Sequence, residues 1–443
     1  MRGRGVIENW SLGFIWDLDF GIWDFEVMKF IADFHLHSKY SRATSKDMEV
    51  ETLAQWAKKK GITLLGTGDF THPTYFAELR AKLEPGGEGL FKLKKGNQGI
   101  RYILTTEVSN IYTQGGKVRR IHNLIFAPSF EVVEAIQSRL GNLGKLSSDG
   151  RPIFSFPAKE LVKMILDISP DCLIVPAHAW TPWFSIFGAN SGFDSIEECF
   201  GEMSPHIHAI ETGLSSDPEM NWRLSTLDPL TLISNSDAHS PNRLGREANA
   251  FDCALDYREI IEAIRKKERK KFLFTIEFFP EEGKYHYDGH RQCDVIFSPS
   301  QTRANHYLCP RCQKKLTVGV MHRVDELSDR QEGFIPKNAI PSIHLIPLEE
   351  IVAEALGYRV GTKAVETEYE RLVERGGSEF QILLEATPEA LATYVPEKIV
   401  EGIVRMRQGK VSIVPGHDGV YGKVTLFPEE KGEGGSEGQL KLF

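Results

Sequence analysis

Eight side chains with metal-binding chemistry stand at separated points of the chain: His35, His37, Asp69, Glu107, His122, His178, Asp237 and His239. Asp33-Phe34-His35-Leu36-His37 closes one apolar run, and Ser236-Asp237-Ala238-His239 closes another. Residues i and i+2 of a strand point to the same side. His35 and His37 therefore converge, and so do Asp237 and His239. Glu107 follows Thr105-Thr106 at a strand end, where a carboxylate can bridge two cations. Mixed imidazole and carboxylate sets suit Zn²⁺, Mn²⁺ or Fe rather than an all-oxygen Ca²⁺ cage. A polynuclear cluster of this kind suits phosphoester hydrolysis first. Amide or amidine hydrolysis comes second; it often calls for a carbamylated lysine, and no good candidate is present. Asp237 and Glu107 are the residues expected to carry the chemistry, Asp237 as ligand or base, and Glu211 to support them from behind.

Repeating elements must hold these groups together. Apolar runs with β character recur at 30–34, 62–66, 102–106, 123–127, 172–177, 208–212 and 230–234. Helical patterns at 48–60, 130–140 and 158–166 fall between several of them. Alternation of this sort predicts a parallel sheet covered on both faces, and seven strands with polar C-terminal ends predict a (β/α) barrel. A barrel domain over 28–275 is expected, followed by a cysteine-containing unit over 276–335. A helical C-terminal domain over 340–428 has helices at 348–356, 362–375 and 388–407 and short strands at 410–414 and 422–427. At 443 residues the chain is long enough for several domains.

Composition narrows the class. The chain is 41% hydrophobic and 26% charged, with net charge −8, so it is not a globally basic nucleic-acid binder. Basic clusters occur at 92–95, 117–120 and 265–271, and no apolar run reaches the ~18 residues of a membrane span. The expectation is a monomeric cytoplasmic protein without a membrane partner. Residues 1–27 are rich in tryptophan (Trp10, Trp16, Trp23) and lack signal-peptide features. They read as a non-native or disordered extension, with Met28 as the natural start.

Three of the six cysteines have metal spacing. His290-Arg291-Gln292-Cys293 and Cys309-Pro310-Arg311-Cys312 supply one imidazole and three thiols, a set that fits one tetrahedral structural Zn²⁺. His286 and His306 are rivals of His290 for the fourth place. The segment 180–187 carries Trp180, Trp183, Phe184 and Phe187 directly after His178. Trp180, Trp183 and Arg291 are candidates for contact with an extruded base; packing within a barrel lid is an equal alternative for the aromatics.

The ordered ligand set resembles that of the PHP (polymerase and histidinol phosphatase) phosphoesterase family. The resemblance implies a distorted seven-stranded barrel with two or three divalent metals (Zn²⁺, Mn²⁺ or Mg²⁺). Family members carry Asp-His at the second motif; here Asp69 precedes Phe70, and His72 lies two residues further on. A PHP barrel followed by a zinc unit and a helical region is similar to the endonuclease Q family, which acts on DNA. The stretches that carry this are 34–41, 66–69, 176–182, 288–291 and 415–419. The resemblance implies a DNA-repair nuclease cutting 5′ to uracil, hypoxanthine, xanthine or abasic sites. The alternatives are a PHP phosphomonoesterase or 3′–5′ exonuclease, and a non-catalytic DNA-damage binding module.

The chain ends in Gln439-Leu440-Lys441-Leu442-Phe443 after a polar, Gly-rich stretch. This looks like the peptide that docks on the bacterial β sliding clamp, with Leu440, Leu442 and Phe443 in the groove and Gln439 at its edge. The resemblance implies a bacterial, nucleoid-associated protein.

Overall fold

The computed structural model describes residues 29–96 and 99–428. The readings made for residues 1–27 and for the tail at 429–443 lie outside them. The fold is mixed α/β around a central sheet. All seven apolar runs are strands: β1 (Lys29–Asp33), β2 (Leu64–Gly66), β3 (Arg101–Gln114), β4 (Lys117–Ala127), β5 (Leu173–Pro176), β6 (Ala209–Glu211) and β7 (Thr231–Ile233).

Neighbouring strands follow one another around the site. β1 pairs with β2, and β2 with β3, in parallel. β3–β4 and β4–β5 are antiparallel. Beyond β5, Ala179 N donates to Glu211 O at 2.9 Å. β6 and β7 are parallel. The segment after β7 returns to the first strand, where His37 N donates to Ala238 O at 3.0 Å.

The expectation of a parallel sheet is corrected here, since the pairings include antiparallel ones. Gly115 and Gly116 join β3 directly to β4, at φ 60° and 72°. Two successive residues with positive φ make the tight turn whose twist suits a hairpin, and glycine adopts it without a Cβ clash. β8 (Ala248–Asp252) also lies antiparallel to β1. It continues the sheet through β9 (Phe272–Glu277) to β10 (Ser342–His344).

Alternate residues of the same strands feed two cores, as the period of two requires. Phe34, Leu64, Ile103, Phe126, Val175 and Ile233 belong to one cluster. Leu65, Leu104, Ile125, Ile174 and Leu232 belong to the other, with helices α1 (Val50–Lys60), α2 (Pro73–Lys82), α3 (Phe130–Gly141) and α4 (Ala158–Ile168). Gly61, at φ 89°, ends α1, its N–H donating to Ala57 O and Lys58 O.

The C-terminal region contains α5 (Leu348–Leu356), α6 (Lys363–Gly376) and α7 (Glu397–Arg407). The single helix expected over 388–407 is two, Pro388–Ala392 and α7. Pro396 lacks the N–H that would continue the first, and it serves as the N-cap of the second. The strands Ser412–Val414 and Lys423–Thr425 pair antiparallel. Among the described residues no helix is long and apolar enough to cross a membrane.

Candidate metal centre

His35, His37, Glu107, His122, His178, Asp237 and His239 converge. His35, His178 and Asp237 follow the ends of β1, β5 and β7, whereas Glu107, expected at a strand end, lies inside β3 and His122 inside β4. Three overlapping sets have ligand atoms within 4.8 Å of one another: His35, His37 and Glu107; Glu107, His122 and His178; and His37, Asp237 and His239. Glu107 divides its two oxygens. Oε2 lies 3.3 Å from His37 Nε2 and 3.7 Å from His35 Nε2. Oε1 lies 2.7 Å from His122 Nδ1 and 3.0 Å from His178 Nε2. Asp237 Oδ1 stands 3.1 Å from His37 Nε2 and 3.6 Å from His35 Nε2.

The donor set fits cations. His35 Nε2, His37 Nε2 and Asp237 Oδ1 are buried and have no hydrogen-bond partner within the protein. Leaving such atoms bare costs ~1–3 kcal/mol each, more for charged groups. Burial works against charging His35, yet Glu211, Asp237 and Glu107 hold its pKa well above the imidazole range. Burial likewise opposes ionisation of Glu107 and Asp237, and neighbouring histidines keep both well below the carboxylate range, with Arg151 assisting at Glu107. Burial pushes His122 down to about 4. The pocket thus collects negative charge against neutral or protonated imidazoles, an electrostatic setting that favours positive charge at its centre.

The far sides of His35 and His37 are held. His35 Nδ1 sits 3.0 Å from both oxygens of Glu211, which also accepts from His178 N (2.8 Å) and Asn235 Nδ2 (2.8 Å). His37 Nδ1 sits 3.0 Å from Asp69 Oδ1. Asp69 Oδ2 accepts from Ser38 N, Ser38 Oγ and Ser41 Oγ at 2.6, 2.7 and 2.9 Å. Asp69 therefore stands behind His37 and joins none of the three sets. A carboxylate behind a histidine fixes its tautomer and ring orientation.

His72, the expected substitute for the missing motif histidine, is elsewhere. It caps α2, accepting from Tyr75 N at 3.3 Å, and stacks on Tyr40. Phe70 is fully buried.

Backbone conformation marks the same residues. Asp69, His178 and Asp237 all have positive φ, at 45°, 29° and 46°. Such conformations cost energy and persist where the surroundings enforce them, commonly at functional sites. Gly150 is needed for close approach, because a Cβ there would stand 2.2 Å from Asp69 Oδ2. The next residue, Arg151, was not foreseen. Its Nη1 donates to Glu107 Oε2 at 2.9 Å. It reaches the centre from a loop without a ligand motif, so only the adjoining Gly150 and Pro152 hint at a fixed turn. Asp237, His239 and Arg151 have side chains 29%, 34% and 27% exposed, against zero for His35, His37 and Glu107. The centre therefore opens to solvent on their side.

Trp180 does not line this opening. It is 1% exposed, donates to Asn221 Oδ1 and packs on Phe187, so it has no free face for a base. Trp183 is 43% exposed and meets Tyr285 edge-on, while Phe184 packs on His122. Arg291 is exposed, with its N donating to Asp418 Oδ2 at 2.8 Å.

His290, Cys293, Cys309 and Cys312 form a separate ligand set. His290 lies on the hairpin of Asp288–His290 and Val295–Phe297. His290 Nδ1 is 3.6 Å from Cys312 Sγ. His286 and His306 are not in the set. One imidazole with three thiols is a donor set suited to tetrahedral Zn²⁺. The helix Val320–Leu327 ties this unit to the mouth of the metal centre, as Arg323 donates to Phe187 O and Phe193 O at 3.1 Å each.

Comparison with known proteins places this geometry in context. Residues 347–410 match the model of the MJ0043 C-terminal domain family. The protein MJ0043 of Methanocaldococcus jannaschii is 34% identical over 260 residues; the match spans 57% of this chain and 32% of that protein. The Bacillus subtilis protein YqxK is 30% identical over 412 residues, spanning 89% of this chain and 99% of that one. The chain thus spans about a third of the length of the first relative and nearly all of the second. The crystal structure of the lesion-specific endonuclease PfuEndoQ from Pyrococcus furiosus superposes with a TM-score of 0.81 at 33% identity, covering 91% of this chain and 96% of that one. An endonuclease Q complexed with a 27-mer duplex carrying an abasic lesion at the active site gives 0.79 at 33% identity, covering 91% and 98%. At that identity and coverage the relationship extends to the whole described fold, and the chain belongs to the endonuclease Q family.

Proposed function

We propose that this chain is a DNA-repair endonuclease that hydrolyses the phosphodiester 5′ to deaminated bases (uracil, hypoxanthine, xanthine) or abasic sites. The observation that carries the reading is the division of Glu107 between two histidine sets at the open end of a fold shared with lesion-specific endonucleases. The strands β1 to β7 are read as the distorted seven-stranded barrel of a domain over 28–275. Residues 276–335 form a zinc-binding domain and 340–428 a helical domain.

His35, His37, Glu107, His122, His178, Asp237 and His239 would hold two or three divalent cations, with Asp69 and Glu211 orienting His37 and His35. Such cations, when bound, supply Lewis acidity to a phosphate and acidify a water. Asp237, at the solvent-facing edge, takes the proton of the attacking water. Arg151 turns from Glu107 toward a non-bridging phosphate oxygen. Trp183 and Arg291 contact the DNA beside the extruded base, which leaves the stack to reach the site. His290, Cys293, Cys309 and Cys312 hold Zn²⁺.

Labelled duplexes, each with one lesion, test this in the presence of Mg²⁺, Mn²⁺ and Zn²⁺ in turn. The expected product is a nick 5′ to the lesion. Cleavage of phosphomonoesters without nicking would transfer the chain to the phosphatase reading. Asp237→Asn is expected to bind lesion DNA and not cut it; nicking at the wild-type rate refutes its role.

The partner at the tail is the β sliding clamp, bound through Gln439, Leu440, Leu442 and Phe443. Removing residues 439–443 is expected to abolish clamp binding and leave nicking of short duplexes intact. Undiminished clamp affinity in the shortened chain removes that partner.

A further inference from the structure

A second group of metal-type ligands lies across strand β6 from the centre. Glu211 and Thr212 are consecutive, and consecutive residues of an extended chain point to opposite sides. Glu211 faces His35, whereas Thr212 Oγ1 donates to Glu277 Oε2 at 3.1 Å. On that side Asp217, Glu219 and His344 bring ligand atoms within 4.8 Å of one another. His344 Nε2 is 3.2 Å from Asp217 Oδ2, and Ser342 Oγ donates to Glu219 Oε1 at 2.7 Å. Glu277 is paired in register with His344 and is fully buried.

Acidic groups outnumber cationic ones there. Among the described residues no lysine or arginine forms an ion pair with Asp217, Glu219, Glu277 or Glu281, and His344 is the one cationic partner, at Asp217. Each uncompensated buried charge costs several kcal/mol. Glu219 Oε2, Glu277 Oε1, Glu281 Oε2 and His286 Nδ1 are buried without a partner. His286 is 4% exposed and feels the charge of Asp217; burial pushes it down to about 4, so the ring is neutral. Burial pushes Glu277 up to about 8 and raises Glu219 and Glu281 as well, so a cation bound here competes with protons for these carboxyls. A cation satisfies several oxygens and a nitrogen at once.

We propose that Asp217, Glu219 and His344, backed by Glu277, bind a divalent cation distinct from those of the catalytic centre. Carboxylates with one imidazole suit Mn²⁺ or Zn²⁺. The ion ties the loop after β6 to β10, the strand that leads into the C-terminal helices.

Crystals of the full chain soaked in MnCl₂ provide the test through anomalous difference maps. The expected result is a peak enclosed by Asp217, Glu219 and His344, beside the peaks at His35, His37 and Glu107. Peaks at the catalytic centre with none here overturn the proposal and leave the nuclease reading untouched. Native mass spectrometry of Asp217→Asn/His344→Gln should count one Mn²⁺ fewer per chain than wild type, with lesion nicking retained. An equal count overturns the proposal. If that variant does not fold, the wild-type map decides alone.

Discussion

Two tryptophans three positions apart show how residue type and residue role separate. Trp180 fills the core and satisfies its indole N–H on Asn221, whereas Trp183 lies open beside Tyr285. Trp180→Ala is therefore expected to cost about 3–5 kcal/mol of stability, the usual range for emptying a large aromatic site. Trp183→Ala should stay within about 0.5 kcal/mol, as for most surface changes, and weaken binding to lesion DNA. Denaturant unfolding and a binding titration on the two variants check this; equal losses of stability would contradict the assignment. The sequence carried no means of telling the two apart, because both lie in an irregular loop without a period. The ligands were legible for the opposite reason: His35, His178 and Asp237 follow apolar strands and Glu107 and His122 interrupt them, and a polar residue there needs a cause. Asp69 was legible as part of the ladder and misread in its contact, since spacing cannot say which oxygen faces a metal and which faces His37.

At the scale of elements, the seven strands and the main helices followed from apolar runs and periods. What the periods could not give was direction. The β3–β4 hairpin depends on a two-glycine turn, and β8 runs antiparallel to β1 through contacts about two hundred residues apart. One such long-range contact sets how the helical region sits on the rest. Lys60, the last residue of α1, meets Glu379 with Nζ to Oε2 at 2.6 Å, and both side chains are only 5% exposed. Glu379 also accepts from Leu348 N at 3.0 Å and Tyr369 OH at 2.8 Å. Removing one partner of a buried pair strands the other, so Lys60→Met should destabilise by about 3–5 kcal/mol. Thermal unfolding measures the loss. A change near zero would mean that solvent reaches Glu379 and that the pair does not anchor the helices.

The whole molecule joins units of unequal self-sufficiency. The main core spans strands β2 to β7 and reaches the C-terminal helices, but the cysteine unit has a separate cluster of only Val295, Cys309 and Leu316. A core of three buried residues cannot offset the entropy of ordering its loops, and metal binding commonly supplies that free energy in small units. Cys309→Ser should therefore lose one bound Zn²⁺ and raise hydrogen exchange over residues 286–319, while β1 to β7 keep their protection. Retained protection in that span would show that the unit folds without its metal.

The same unit is fastened by a segment more than a hundred residues later. Tyr287 N donates to Gly416 O, Thr317 Oγ1 and Arg291 N both donate to Asp418, and Gly419 N donates to Lys284 O. Order of synthesis follows from this stitching. A nascent chain that has reached residue 335 contains every residue of the candidate metal centre and of the cysteine ligand set, yet lacks the loop that holds the hairpin in place. Completion of this stitching is thus a late event in synthesis. A chain truncated before residue 416 is expected to keep both ligand sets and to lose these fastenings of the cysteine unit.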